Sequence, residues 1–215
     1  MFSNAYEGVK KIYKAEILSL IAAILMLIGS IISATGIQAG EETASGNGLL
    51  IGGGLVVIVA AILMIVASIL NIIGVNRAAN DEAAFKNALI ALLAGIAANI
   101  VVSAFSGNAT ISSIGKTVSN VTEIMASYFI CTGIINLADR LNDSAVSASG
   151  KKVRSIIMGI WTASAVLNIL TTLFGTNETM QAIIGITAIV AVIISIVAYF
   201  LYIRLLGKAK NMLAK

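Results

Sequence analysis

Five long stretches of this sequence carry no charge at all. The runs from Glu16 to Glu41, Glu42 to Arg77, Lys86 to Lys116, Arg154 to Glu178 and Glu178 to Arg204 enclose 24, 34, 29, 23 and 25 uncharged residues. A helix crossing the roughly 30 Å hydrocarbon core of a bilayer needs about 20 predominantly apolar residues. Each run therefore holds one crossing. A sixth stretch is interrupted only by Glu123, and Val121 to Ala138 is still long enough to cross. The spans expected are 16–38, 50–76, 84–106, 120–139, 153–174 and 180–206. Strands of a membrane barrel would alternate apolar and polar residues. Runs such as Ile58 to Val66 do not alternate. In hydrocarbon each segment must also satisfy its own backbone polar groups, which selects helices.

Composition closes off the other classes. The chain is 59% apolar and 11% charged, against roughly 45–50% and about 25% for an average soluble domain. Disorder needs the opposite balance. A single cysteine, Cys131, excludes a disulfide framework.

The basic residues give an expected orientation. Lys10, Lys11 and Lys14 precede the first span, Arg77 and Lys86 lie between the second and third, and Arg140, Lys151, Lys152 and Arg154 lie between the fourth and fifth. Arg204, Lys208, Lys210 and Lys215 close the chain. Thus 13 of the 14 Lys and Arg residues fall on one side, and Lys116 alone falls on the other. The positive-inside rule puts that side, with both termini, in the cytoplasm of a plasma membrane. The net charge of +4 is a topology signal. Without a basic domain with interleaved aromatics, it does not point to nucleic acid.

The spans also resemble one another internally. Lys14 to Ile24 aligns with Lys86 to Ile96, Asn99-Ile100 with Asn168-Ile169, Tyr128-Phe129 with Tyr199-Phe200, and Ile73-Gly74 with Ile135-Asn136. The expected unit is a helical hairpin present three times in one transmembrane domain, at 8–78, 79–143 and 144–213. All three copies run the same way, unlike inverted transporter repeats.

Two features are candidates for a site. Glu123 is the one acid that falls inside a span, and intramembrane carboxylates mark ion pathways. However, Asn120-Val121-Thr122-Glu123 also has the form of a capping box, and capping is the preferred reading. The second candidate is a polar stripe. Gly95, Asn99 and Ser103 recur every four residues, as do Ser164, Asn168 and Thr172. They read first as helix-packing residues, with Asn99 and Asn168 as lining of a polar path in the alternative. The glycines 46, 48 and 52–54 read as a flexible loop feeding a closely packed span. Tyr13, Phe85 and Tyr202 read as an inner aromatic belt, and Phe105 as part of an outer one.

With no histidine and no pair of acids at depth, the chain offers no catalytic constellation and no metal or cofactor site. The expected function is that of a membrane scaffold, assembly or accessory subunit. Its partners would be lipid and either itself or another membrane protein. The alternative is a small-solute or ion transporter with a path near Glu123, Asn99 and Asn168.

Overall fold

A computed structural model describes residues 2–38, 44–105, 107–174 and 178–215. The side chains at 44–45, 109–110, 112–113, 116, 167–174, 178–184 and 188 lie outside that description. The described chain is all helix, with no strand: α1 (Ser3–Gln38), α2 (Ala44–Ala78), α3 (Ala83–Ala104), α4 (Ala109–Arg140), α5 (Ser144–Phe174) and α6 (Glu178–Leu213). Among the described residues five stretches are long and apolar enough to cross a membrane: Ser3–Gln38, Gly46–Ala78, Ala83–Ala104, Thr117–Arg140 and Gly185–Leu213. The sixth long helix, α5, runs into the residues whose side chains are not described.

Most helices are longer than the spans expected of them. The charge-free gaps mark only the part that hydrocarbon requires. Outside it the chain continues as helix through charged turns, so α1 begins at Ser3 and α6 runs on to Leu213.

The chain forms two compact units, Lys10–Gly74 and a second made of Met1–Val9 with Val75–Lys215. The first is the antiparallel pair α1 and α2. Its buried positions follow a period of seven in small residues: Ala15, Ala22, Gly29 and Gly36 on α1, and Gly46, Gly53, Ala60, Ala67 and Gly74 on α2. A seven-residue period keeps one seam facing its partner along two helices that wind about each other. Between lipid-embedded helices apolar burial gives no net drive, and small residues let the backbones touch. They do so here. A Cβ placed on Gly53 would lie 2.7 Å from the carbonyl oxygen of Gly29, and one on Gly36 would lie 3.0 Å from that of Gly46. The glycines of 46–54 are thus helical, and two of them form the seam. The loop expectation is corrected because close packing offsets the weak helix propensity of glycine. Toward the other end of this pair, Asn71 donates its Nδ2 to Glu16 Oε1 at 3.3 Å.

In the second unit α3 packs on α4, α4 on α5 and α5 on α6. The α3–α4 seam is again small. Ala84, Ala88, Ala91 and Gly95 are buried against a face carrying Gly115, Ser119, Ala126 and Gly133. A Cβ on Gly95 would meet Thr122 Oγ1 at 2.7 Å, and one on Gly133 would meet the Phe85 ring at 2.5 Å. On α5, a Cβ on Gly150 would lie 2.6 Å from Ile135 Cγ1. The large buried side chains collect near the basic ends of the helices: Phe85, Ile130, Ile134, Leu137, Leu205 and Leu206. Phe85 and Tyr202 therefore belong to this core and not to an interfacial belt, since both are buried. Phe105 is exposed, as a belt residue would be.

Short turns close the basic end of this unit. Asn142 adopts a left-handed φ of 55°. Asp143 N–H then reaches back to the Ala138 carbonyl at 2.9 Å, the closing bond of a Schellman turn. Asp143 Oδ1 next accepts from Val146 N–H at 3.0 Å and caps α5. Asp81, between α2 and α3, accepts from Ala5 N–H at 2.8 Å and from Asn4 Nδ2 at 3.2 Å, placing an acid at the positive end of α1.

The glycine seam makes a paired prediction for neighbouring residues. Gly53→Ala, which meets the α1 backbone at Gly29 and Ser33, should destabilise the protein by about 1–3 kcal/mol. Gly52→Ala, which meets nothing within 4 Å, should be neutral or stabilise by up to about 1 kcal/mol through helix propensity. Unfolding midpoints of the two variants in detergent check this.

Candidate functional site

Glu123 lies in the body of α4, fourteen residues past its start at Ala109. The capping-box expectation is corrected accordingly. The helix begins earlier, where Asn108 Oδ1 accepts from Ile111 N–H at 3.1 Å. An N-x-x-E sequence caps only where the helix starts, and the polar turns before Asn120 are helical too. Glu123 instead opens onto a groove of about 380 Å³ among α4, α5 and α6. Glu123 and Ser127 sit one turn apart on α4. Ser195, Tyr199 and Tyr202 face them from α6, and Ile157 and Ile160 form the α5 wall. The carboxylate stands 17 residues, roughly 25 Å, before Arg140 along the helix axis. The groove thus gathers one carboxylate, two hydroxyls and two phenols against apolar walls. That set can hold a cation or a small hydrogen-bonding solute. Among the described residues no group of three His, Cys, Asp or Glu could hold a metal ion.

The polar stripe does not join this groove. Gly95 is buried in the α3–α4 seam, whereas Asn99 and Ser103 are exposed. Ser103 Oγ donates to the Asn99 carbonyl at 3.0 Å. A repeat of four drifts around a 3.6-residue helix by about 40° per step, so the stripe leaves the interface. The seam itself continues through Gly95, Ala98 and Val102. Ser164 on α5 is half-buried. The side chains of Asn168 and Thr172 lie outside the described residues.

The basic residues expected at the inner boundary are divided in their surroundings. Lys10, Lys11 and Lys14 lie in the early turns of α1. Lys151 Nζ is 4.0 Å from Asp139 Oδ2, and both side chains are exposed. Arg154 turns inward. Its guanidinium stands 5.4 Å from the centre of the Tyr128 ring, and one of its nitrogens donates to Thr132 Oγ1 at 3.4 Å.

One polar centre escaped the reading of the sequence. Glu82, the N-cap of α3, is buried. It accepts from Asn136 Nδ2 at 2.9 Å and from Ala84 N–H at 3.4 Å, and it forms an ion pair with Arg140 at 2.9 Å. Asn136 and Arg140 are one turn apart on α4, so a single carboxylate fastens the start of α3 to the end of α4. The signal was available: an acid directly before an apolar run, and an Asn four residues before an Arg at the end of another.

Comparison of the chain with protein-family models, with curated proteins and with solved structures returns no match. The fold itself defines the class, a helical multi-pass membrane protein.

Breaking the Glu82 centre from its two sides should give unequal losses. Arg140→Gln leaves a buried carboxylate without its cation, and we expect a cost of about 1–3 kcal/mol, below the full buried-pair value because Arg140 is half-exposed. Glu82→Gln should cost less, and the double variant should recover part of the Arg140→Gln loss. A thermal-unfolding double-mutant cycle measures this.

Proposed function

We propose that this chain is a six-span scaffold, assembly or accessory subunit of the plasma membrane, with both termini in the cytoplasm, that associates laterally with a second copy or another membrane protein. One observation carries the reading. Asn99 stands on the exposed face of α3, five residues from the end of an apolar helix, and its side chain makes no hydrogen bond among the described residues. An amide facing hydrocarbon is unfavourable unless another helix covers it. An interhelical Asn contact contributes roughly 0.6–2 kcal/mol. The hairpin seams add support, because among the described residues backbone meets backbone between α1 and α2, and Thr122 and Val102 fill the space at the glycines between α3 and α4.

The orientation rests on the one-sided placement of Lys and Arg. The threefold repeat draws support from the seams. Gly29 faces Gly53 in the first hairpin, as Val102 faces Gly115 in the second. The even-helix contacts Gly53 and Gly115 are 62 residues apart, the offset of the sequence match of Gly74 to Asn136, and the odd-helix contacts Gly29 and Val102 are 73 apart against a sequence offset of 72. We include α5–α6 as the third copy on the strength of the sequence matches.

A second reading is favoured by the groove at Glu123: a small-solute or ion path along α4–α6. Asn99 and Glu123 separate the two readings. Asn99→Leu should weaken lateral association by about 3- to 30-fold, read by cross-linking in native membranes and by recovery of a stoichiometric partner. A wild-type protein that purifies as a clean monomer without a partner contradicts the scaffold reading. If the groove conducts, Glu123→Gln should abolish pH-dependent or cation-coupled flux in proteoliposomes while leaving the fold intact. An absence of wild-type flux, or flux unchanged by the substitution, counts against it.

A further inference from the structure

We propose that the groove between α5 and α6 at the basic end of the bundle binds a phosphate group, presented there by an anionic lipid headgroup. The groove encloses about 190 Å³. Ser149 and Lys152 line it from α5, and Arg204 and Lys208 line it from α6, above apolar walls that include Leu201 and Leu205. The three cations arrive by helix register. Arg204 and Lys208 are four residues apart on one face of α6, and Ser149 and Lys152 are three apart on the facing turn of α5. Lys208 Nζ donates to Ser149 Oγ at 3.1 Å, which holds the ammonium over the groove.

Among the described residues none of these three cations is paired with a carboxylate, whereas Arg140 and Lys151 each have one. Three like charges around one groove repel each other until an anion enters. Guanidinium and ammonium donors together suit phosphate oxygens.

Depth selects the source of that phosphate. Arg204 closes the run of 25 uncharged residues that follows Glu178 on α6. At 1.5 Å per residue that run is roughly 37 Å long, enough to cross the hydrocarbon core. The cations therefore stand at headgroup level. Val197 and Phe200, each 54% exposed on the adjoining turns of α6, offer apolar surface to the acyl chains. Basic pockets between membrane helices at this level are suited to anionic headgroups. The inference rests on α6 spanning a bilayer and is independent of the choice between scaffold and transporter.

The test uses the full chain purified in a neutral detergent and titrated with dioleoylphosphatidylglycerol, dioleoylphosphatidylcholine or inorganic phosphate. Unfolding temperature and lipid adducts in native mass spectrometry are the readouts. The anionic lipid should give a saturable upward shift and retained adducts, and the other two ligands should not match it. Lys152→Gln/Arg204→Gln/Lys208→Gln should raise the half-maximal concentration by about 100-fold. Lys11→Gln/Lys14→Gln/Lys86→Gln removes the same charge elsewhere and should leave it unchanged. Arg204→Gln alone, expected to weaken binding about fivefold, keeps the test valid if the triple variant does not fold. A wild-type response from the groove variants, or an equal loss in the control, overturns the site. A shift reproduced by inorganic phosphate alone overturns the lipid as its source.

Discussion

In hydrocarbon, an apolar side chain gains little by touching another side chain in place of lipid, and a backbone polar group finds no water. The second condition makes every crossing helical. The first leaves helix association to close packing and to hydrogen bonds between helices. The rest of this structure follows from how the chain meets the two conditions. Its midsections are lined on one face by glycine, alanine and a few hydroxyl residues, and their large side chains point outward. Exposed isoleucine, leucine and valine along α1, α2 and α6 would be an aggregation hazard in water. In a bilayer they face a solvent of their own kind.

Toward the basic ends the packing changes character. There Phe85, Ile134, Leu137, Leu205 and Leu206 are buried. The last turns of α6 run past Arg204 with Ala209, Met212 and Leu213 turned inward. A core of large side chains stabilises where water is the alternative, by roughly 1.5–3 kcal/mol for each side chain fully buried. One continuous set of helices thus uses two packing rules. Glu82 is placed near the change from one to the other. Its contacts with Asn136, Arg140 and the first turn of α3 set where α3 starts relative to α4, and so set the register of the seam that follows.

Charge-free length made the helices legible in the sequence, because the requirement for about 20 apolar residues is a property of the bilayer and not of any partner helix. Interhelix contacts were less legible. Gly46 to Gly54 read as a loop because glycine has low intrinsic helix propensity, and only the partner helix shows why glycine is needed at 53. Phe85 and Tyr202 read as belt residues because they fall near the basic ends of their spans, while the side on which they face is not encoded in that position. The stripe through Asn99 was taken at a period of four, and the true seam runs at i, i+3 and i+7, which turns Asn99 outward. Glu123 stands out in the sequence as an acid within a span, but its surroundings come from α5 and α6, and no local sequence window contains them.

The central claim is that α1 and α2 meet along a small-residue seam in one fixed register. That register, set by Gly29 against Gly53 and Gly36 against Gly46, places Ala22 opposite Ala60. Disulfide formation between paired cysteines tests it most directly, because the bond tolerates Cα separations of only about 4.4–6.8 Å. In a Cys131→Ala background in native membranes, Ala22→Cys/Ala60→Cys should cross-link rapidly, and Ala23→Cys/Ala61→Cys, one residue out of the seam, should not. Equal cross-linking of the two pairs, or cross-linking of the second alone, would contradict the seam and the account built on it.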